Sequence, residues 1–524
     1  MKTDVLIIGA GSAGLMTALA LAEKQRKVVV LSGGPLGESC SSVLAQGGLA
    51  AAVDKDDSPA LHAADTLKAA AGTADPAVVN ALVAAAPEAA ALLDKLGVRF
   101  DRDAAEDFKL NREACHSRRR VLKAKAGDGF GKELMRALVK AARNTPAVTV
   151  LENVSAERLI VQSRRVTGVT TGAGGAIAAN AVVLATGGLG GLYAATTNPL
   201  SSVGRGIALA ARAGALLSDL EFVQFHPTAL DIGEDPAPLA SEALRGDGAL
   251  LLNSRGERFM KNYHPMAELA PRDVVSRAIF AEMQRGQKVY LDCRSLDTAH
   301  FPALIAACRR ANIDPQHSLV PVFPVAHYHM GGVATDLNGR TSLQGLWAAG
   351  ETAATGLHGA NRLASNSLME AIVMARHVAC DISTHVACDI SAHVACDISV
   401  DGAAETPPEQ KTVSRPAERL RLRQIMTDCF GVARNGETMQ SGLRGILALE
   451  EAARNDAALA DMALVAKMVA VAALARTESR GGHFRPDYPA PLKVWEKRSF
   501  MTLRNIDALA EKALAPLHAK EKIA

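Results

Sequence analysis

Little in this sequence suits a nucleic acid, a bilayer or a metal ion. Aromatic residues make up only 4% of the 524 residues, which leaves few platforms on which bases could stack. Charge of neither sign dominates. The 58 Lys and Arg residues oppose 55 Asp and Glu, and a formal net charge of +3 offers no surface to a polyanion or an anionic membrane. No uninterrupted run of 18 or more apolar residues occurs, so no membrane span is expected. Lys2 and an apolar stretch open the chain, but Asp4 and the glycines at 9, 11 and 14 break it, so a signal peptide is not expected. The eight cysteines form no C-x-x-C pair. Neither a zinc site nor an iron–sulfur cluster is expected, and a reduced, cytoplasmic setting follows.

What is present reads as globular. Hydrophobic residues make up 48% and charged residues 22%, and the length exceeds what one core supports, so two to four domains are expected. Val5–Ile8 is a short apolar strand, GAGSAG follows at residues 9–14, LMTALALAEKQ reads as a helix, and VVVL at 28–31 is a second strand. That strand–loop–helix–strand order is a dinucleotide-binding unit. Gly9, Gly11, Ser12, Ala13 and Gly14 bring backbone N–H groups to a pyrophosphate at a helix N-terminus. Alone, such a loop is also an ordinary tight turn. An acid normally ends the second strand to hold the ribose, and Ser32 stands there instead.

Further strands are expected at 148–151, 159–161 and 180–185, and helices across 58–95. The 180–185 strand runs into ATGG, with Gly187 in its turn. A later strand runs into AAGE, which puts Glu351 where an acid meets ribityl hydroxyls. Distant segments converging on one site suit FAD better than NAD. Between about 226 and 329 the βαβ rhythm is lost and the charged motifs concentrate. The expected fold is therefore α/β: a Rossmann-like FAD-binding domain (1–225 and 330–400), an inserted α+β capping domain (226–329) and a C-terminal helical domain (405–524) beyond a TPPEQKTVSRP linker. One octapeptide, HVACDIS plus a variable residue, occurs three times over 377–400. It reads as a duplication lengthening a helix end rather than a metal site, because eight residues turn a helix by about 800° and the copies share no face.

Seven segments in order resemble one known family. They are SSVLAQGGLAA (41–51), NREACHSRRRVL (111–122), EFVQFHPTAL (221–230), SEALRGDGALLLN (241–253), ELAPRDVVSRAI (268–279), HYHMGGVATD (327–336) and GLHGANRLASNSL (356–368). Together, and with SRGGHFRPDYP at 479–489, they resemble the flavoproteins comprising succinate dehydrogenase, fumarate reductase and L-aspartate oxidase, most of all the amino-acid-oxidising branch. The resemblance implies FAD-dependent oxidation of L-aspartate to iminoaspartate. Oxygen or fumarate would accept the electrons, and quinolinate synthase would take up the product on the route to NAD.

The same resemblance assigns roles. His226, His327 and Arg362 contact carboxylates, and Ser241 and Glu242 belong to the same wall. Arg272 handles the proton with Glu242 as partner, and Glu113 faces the substrate ammonium. Ser41, Ser42, Ala45, Gln46, Gly47, Gly48, Ser367 and Leu368 line the flavin. Two anionic carboxylates in a dry site need cations and donors, and arginine binds a carboxylate bidentately. An arginine is nevertheless a poor base, its pKa exceeding about 12.

Each assignment has a plain structural alternative. Arg272 could pair with Asp273 or Glu268, Glu113 could be a surface charge, His226 could cap the FHPT turn, and Arg362 could sit in an ion pair. His329 and His358 read equally well as ligands or packed residues. The runner-up function is the flavoprotein subunit of succinate dehydrogenase or fumarate reductase. Relatives of that kind attach FAD to a histidine where Ser41 stands, and no histidine lies between 33 and 52, so noncovalent FAD is expected. A nonenzymatic flavin-binding scaffold is a third reading. Against the family pattern, Ala114-Cys115 replaces a glycine pair, Gly33 a lysine, and Arg205 an aspartate.

Overall fold

The computed structural model describes residues 1–125, 128–172, 174–390, 414–453 and 455–514. The chain begins with β1 (Lys2–Ile8), α1 (Ser12–Ala22) and β2 (Val28–Ser32), the nucleotide-binding order expected. Strands β3 (Val148–Glu152), β4 (Ala156–Gln162), β5 (Arg165–Thr171) and β6 (Ala176–Leu184) complete the run β3-β2-β1-β6-β5-β4. The β1, β2, β3 and β6 contacts are parallel, and β4 and β5 return as an antiparallel hairpin.

Alternation along these strands sorts side chains between two cores. Val5, Ile7, Val28, Val30, Ala181 and Val183 face one side, and Leu6, Ile8, Val29, Leu31, Val182 and Leu184 the other. Both faces are covered, which is why the strands read as unbroken apolar runs. The first face packs under α1, α2 (Pro59–Ala69), α3 (Pro76–Lys95) and α4 (Phe130–Arg143). The second packs under α5 (Arg205–Arg212) and, further along the chain, four C-terminal helices.

A second sheet is built from β7 (Val223–Leu230), β8 (Leu250–Asn253), β9 (Val289–Asp292) and β10 (Val320–His329), antiparallel in the order β7-β10-β9-β8. Helices α6 (Glu242–Gly246), α7 (Arg272–Gln284) and α8 (Pro302–Arg310) close a separate apolar core with it, around Leu244, Leu251, Ile279 and Leu291. The chain then re-enters the first sheet as β11 (Leu346–Ala348), parallel to β6.

Helix α9 (Asn366–Ile390) follows, and α10 (Pro416–Phe430), α11 (Gly436–Ala452), α12 (Ala457–Ala475) and α13 (Leu503–Leu514) end the described chain. Helices α3 and α12 are long and apolar enough to cross a bilayer by composition. In this fold α12 is a core helix, with Leu464, Val465, Met468 and Val469 buried against the second face of the sheet. The first HVACDIS copy continues α9. Most of the second copy and all of the third, with most of the linker, lie outside the residues whose side chains are described.

Candidate active site

Arg362 lies in a polar loop of which residues 352–366 are all buried. The loop is held by partners the sequence disperses widely. His116 Nε2 meets the Ala364 carbonyl at 3.0 Å, His62 Nε2 meets Asn366 Oδ1 at 2.8 Å, and Gln224 Nε2 donates to the Arg362 carbonyl at 2.8 Å. Ser365 adopts a left-handed φ of 61°, which turns the chain into α9. The Arg362 side chain donates to Ser367 Oγ at 2.9 Å and lies over the Tyr328 ring, 4.5 Å from its centroid. Its Nε has no partner, and among the described residues no carboxylate lies within ion-pair distance. Burial lowers the guanidinium to about 10, helped by Arg272. A buried cation left without a counter-ion is the signature of a site for an anionic ligand.

The loop faces a cavity of about 1160 Å³ that runs from Ser32 to Arg272. Every sequence-predicted site residue lines it except Gly14. Gly14 sits behind the wall, where a Cβ would strike the Gly9 carbonyl oxygen, so it sets the approach of α1 to β1. Gly9 itself has φ +113° against the Ala185 carbonyl. At the head of α1 the Ser12 N–H donates to Ser42 Oγ at 3.1 Å, and Ser42 Oγ donates to Ser12 Oγ at 3.0 Å. The Ser32 hydroxyl is spent on the Gly34 carbonyl at 2.7 Å, leaving its lone pairs to meet a ribose. Glu351 lies flat against Gly188, where a side chain would collide with its carboxylate, and accepts from the His329 N–H at 2.9 Å. Burial pushes its carboxyl up to about 7. Gly-to-backbone contacts, a helix N-terminus and an acid at the far strand end form a cradle for a dinucleotide, and the volume of the cavity suits a ligand the size of FAD.

At the other end the charged side chains converge. Helix α6 starts at its Ser241 cap with Glu242 in its first turn, and α7 starts with Arg272 behind Pro271. Arg272 Nε and Nη2 both lie 2.6 Å from Glu242 Oε2, and Nη1 donates to Gln224 Oε1 at 3.2 Å. Neither neighbour expected as an alternative holds Arg272: Asp273 pairs with Arg277 at 2.9 Å and Glu268 with Arg258 at 2.6 Å. Glu242 also faces Arg245, at 3.3 Å. Burial works against ionisation of Glu242, but Arg272 and Arg245 hold its carboxyl below the usual range.

His226 caps the FHPT turn and also lines the cavity. Its Nδ1 accepts the Thr228 N–H at 3.2 Å, capping the turn, so Nε2 carries the proton. That Nε2 is buried without a partner. His327 Nδ1 is tied to Thr197 Oγ1 at 2.7 Å, and the two imidazoles stand edge to face at 5.1 Å. Burial drives both histidines well below their usual range, followed for His226 by Arg272 and for His327 by Arg362. Both are neutral donors near pH 7.

Glu113 is buried, not a surface charge. Its Oε2 accepts from Ser365 Oγ at 2.8 Å, and a side chain at residue 47 would press on its Oε1. Burial raises its carboxyl, and Glu242 adds to the rise. The adjacent Cys115 takes a left-handed φ of 68°, which explains why glycine suits that position. Its thiol is pushed up to about 12 by burial and Glu242, so it stays protonated near neutral pH. Arg205, in the cavity wall, pairs with Asp461 of α12 at 3.4 Å, and the same carboxylate pairs with Arg212.

Gln224, Arg245, Thr197 and Tyr328 are not among the residues the sequence motifs point to. Each sits in or beside a quoted motif, but only its partners reveal its work. His329 Nε2 bonds to the Leu220 carbonyl at 3.2 Å and His358 pairs with Glu370 at 2.9 Å, so both are packed residues.

Known proteins share this architecture. The family described as "FAD binding domain" matches residues 4–368, and that described as "Fumarate reductase flavoprotein C-term" matches residues 419–520. The chain is 48% identical to the L-aspartate oxidase of Caulobacter vibrioides, over 95% of this chain and 96% of that protein. It is 49% identical to the L-aspartate oxidase of Agrobacterium fabrum, over 92% and 91%. Among solved structures it superimposes on a mutant E. coli quinol fumarate reductase chain with a TM-score of 0.89 at 29% identity, covering 95% of this chain and 94% of that one.

Proposed function

This chain belongs to the FAD-binding flavoprotein family of L-aspartate oxidase, fumarate reductase and succinate dehydrogenase, and on that premise we propose that it oxidises L-aspartate to iminoaspartate. One observation carries the choice of substrate. Arg362 and Glu113, a cation and a carboxylate, are anchored on hydroxyls two residues apart, Ser367 and Ser365, and both line the cavity. An amino acid with two carboxylates presents the complementary pair, an anion beside an ammonium. A plain dicarboxylate has nothing for Glu113 to bind.

In this reading Arg362 takes one carboxylate through its guanidinium edge, and His226 and His327 donate from their neutral rings. Glu113, held toward its protonated form by burial, regains its charge when the ammonium arrives. FAD, when bound, supplies the acceptor for the hydride that leaves Cα. The amine proton leaves toward Arg272, which passes it to Glu242 and on toward Arg245. A carboxylate bridging two guanidinium groups lets an arginine relay a proton it could not hold as a base. The buried loop and the cap side chains exclude water from that exchange.

Ser41, in a stretch from 33 to 52 that carries no histidine, supports noncovalent FAD. Oxygen and fumarate are the acceptors this reading takes, with quinolinate synthase consuming the unstable imine. A cytoplasmic setting fits the six described cysteines, all unpaired.

Anaerobic absorbance tests the reading. L-Aspartate should bleach the bound flavin and succinate should leave it yellow. Bleaching by succinate and not by L-aspartate would make the chain a succinate dehydrogenase or fumarate reductase flavoprotein instead.

A further inference from the structure

We propose that Tyr328 is a positioning residue for substrate binding, its ring being the platform that holds the Arg362 guanidinium, and that the buried cluster of Glu370, His358 and Thr355 serves to hold that ring. The inference rests on Arg362 being the carboxylate anchor.

Arg362 has a single side-chain hydrogen bond, to Ser367, and no carboxylate in reach among the described residues. Its other contact is the face of Tyr328, 4.5 Å away. A ring face offsets a desolvated positive charge without occupying the N–H groups that point at the cavity. A carboxylate in the same place would neutralise the guanidinium and compete with the ligand. The ring is therefore the partner that keeps Arg362 both oriented and available.

Tyr328 is fixed in turn from behind. Its hydroxyl donates to Glu370 Oε2 at 3.3 Å and lies 3.2 Å from His358 Nε2. His358 Nε2 reaches the same Glu370 oxygen at 2.9 Å, and Thr355 Oγ1 donates to Glu370 Oε1 at 2.5 Å. The Tyr328 and His358 rings stand edge to face at 5.2 Å. All four residues are buried, and only Tyr328 among them lines the cavity. The network reaches the cavity through the ring under Arg362.

The test uses FAD-loaded protein and two readouts: the dissociation constant of succinate from its perturbation of the flavin spectrum, and kcat/KM for L-aspartate. Tyr328→Leu should weaken succinate binding about 10-fold or more, the scale of a desolvated cation–ring contact, with FAD affinity unchanged within about 2-fold. Tyr328→Phe, which keeps the ring but frees its tilt, should lose about 3-fold. In an Arg362→Gln background Tyr328→Leu should cost nothing further in kcat/KM, because its effect acts through that side chain. Succinate binding in Tyr328→Leu within about 2-fold of wild type, or losses that multiply in the double variant, would overturn the proposal. If Tyr328→Leu does not fold, Tyr328→Phe and Glu370→Gln decide it, and wild-type succinate binding in both would overturn it. Wild-type flavin that L-aspartate fails to bleach would instead sink the substrate reading, leaving the succinate titration to judge Tyr328 by itself.

Discussion

Two nitrogens of Arg272 converge on a single oxygen of Glu242, each at 2.6 Å, while the other oxygen of that carboxylate faces Arg245 at 3.3 Å. All three side chains are buried. A carboxylate so placed neutralises two cations that could not otherwise be buried together, and it joins Arg272 in the cavity wall to Arg245 behind it.

Removing the first member should stop chemistry and spare the cofactor. Arg272→Leu is expected to lower kcat by at least about 10³-fold, in the range of a lost acid–base group, while the purified protein stays yellow. Stopped-flow flavin reduction under L-aspartate checks it, and near-normal reduction would refute the relay.

Removing the bridge should also cost stability. Glu242→Gln leaves Arg272 and Arg245 as uncompensated buried charges, and breaking such a pair costs about 3–5 kcal/mol. The melting temperature of the variant should fall well below that of Arg272→Leu, which removes a charge rather than stranding two.

Glu113→Gln should blunt selectivity rather than erase binding. KM for L-aspartate is expected to rise about 10-fold or more, and succinate affinity to stay level or improve, since an unfavourable carboxylate has gone. Equal losses for both ligands would return Glu113 to a structural role.

Gly188→Ala should give colourless protein. The new Cβ would collide with the Glu351 carboxylate and evict it from the cradle. Absorbance of the purified variant, with circular dichroism to confirm folding, measures this.

Stability of the FAD-free protein should fall on the acid side of neutrality, where Glu351 and three buried histidines pull in opposite directions. Glu351 titrates near 7 in the fold against an ordinary 4.5, so the folded state binds its proton more tightly. Its contribution is complete below pH 4.5 and lost as pH rises through 7, on the order of 3 kcal/mol. Burial lowers His62, His116 and His329 to about 4 from 6.5, so the unfolded chain binds their protons more tightly. Their contribution is complete above pH 6.5 and lost as pH falls through 4. Glu351→Gln should steepen the loss of melting temperature as pH falls from about 7 to 4.5, because the opposing gain from Glu351 is gone. Because His62 and His116 hold the loop that carries Arg362, dicarboxylate binding should weaken along the acid limb as well.

The sequence by itself determined the nucleotide-binding unit, because glycine spacing between an apolar strand and an apolar helix is a local pattern whose physics is also local. The 3.6-residue and two-residue periodicities likewise declare the helices and strands. Motif letters pointed to Arg272, Arg362, His226 and Glu113, and the residue types told what each could bind. Only the tertiary structure decided which of several acids Arg272 would choose, since Asp273 is its neighbour in sequence and Glu242, thirty residues away, is its partner in space. It alone revealed that Arg362 lies on Tyr328 without a counter-ion, and that Asp461 answers Arg205 across more than 250 residues. Pairing between charges depends on distance and burial, and neither is a property of sequence separation once the chain has folded back on itself.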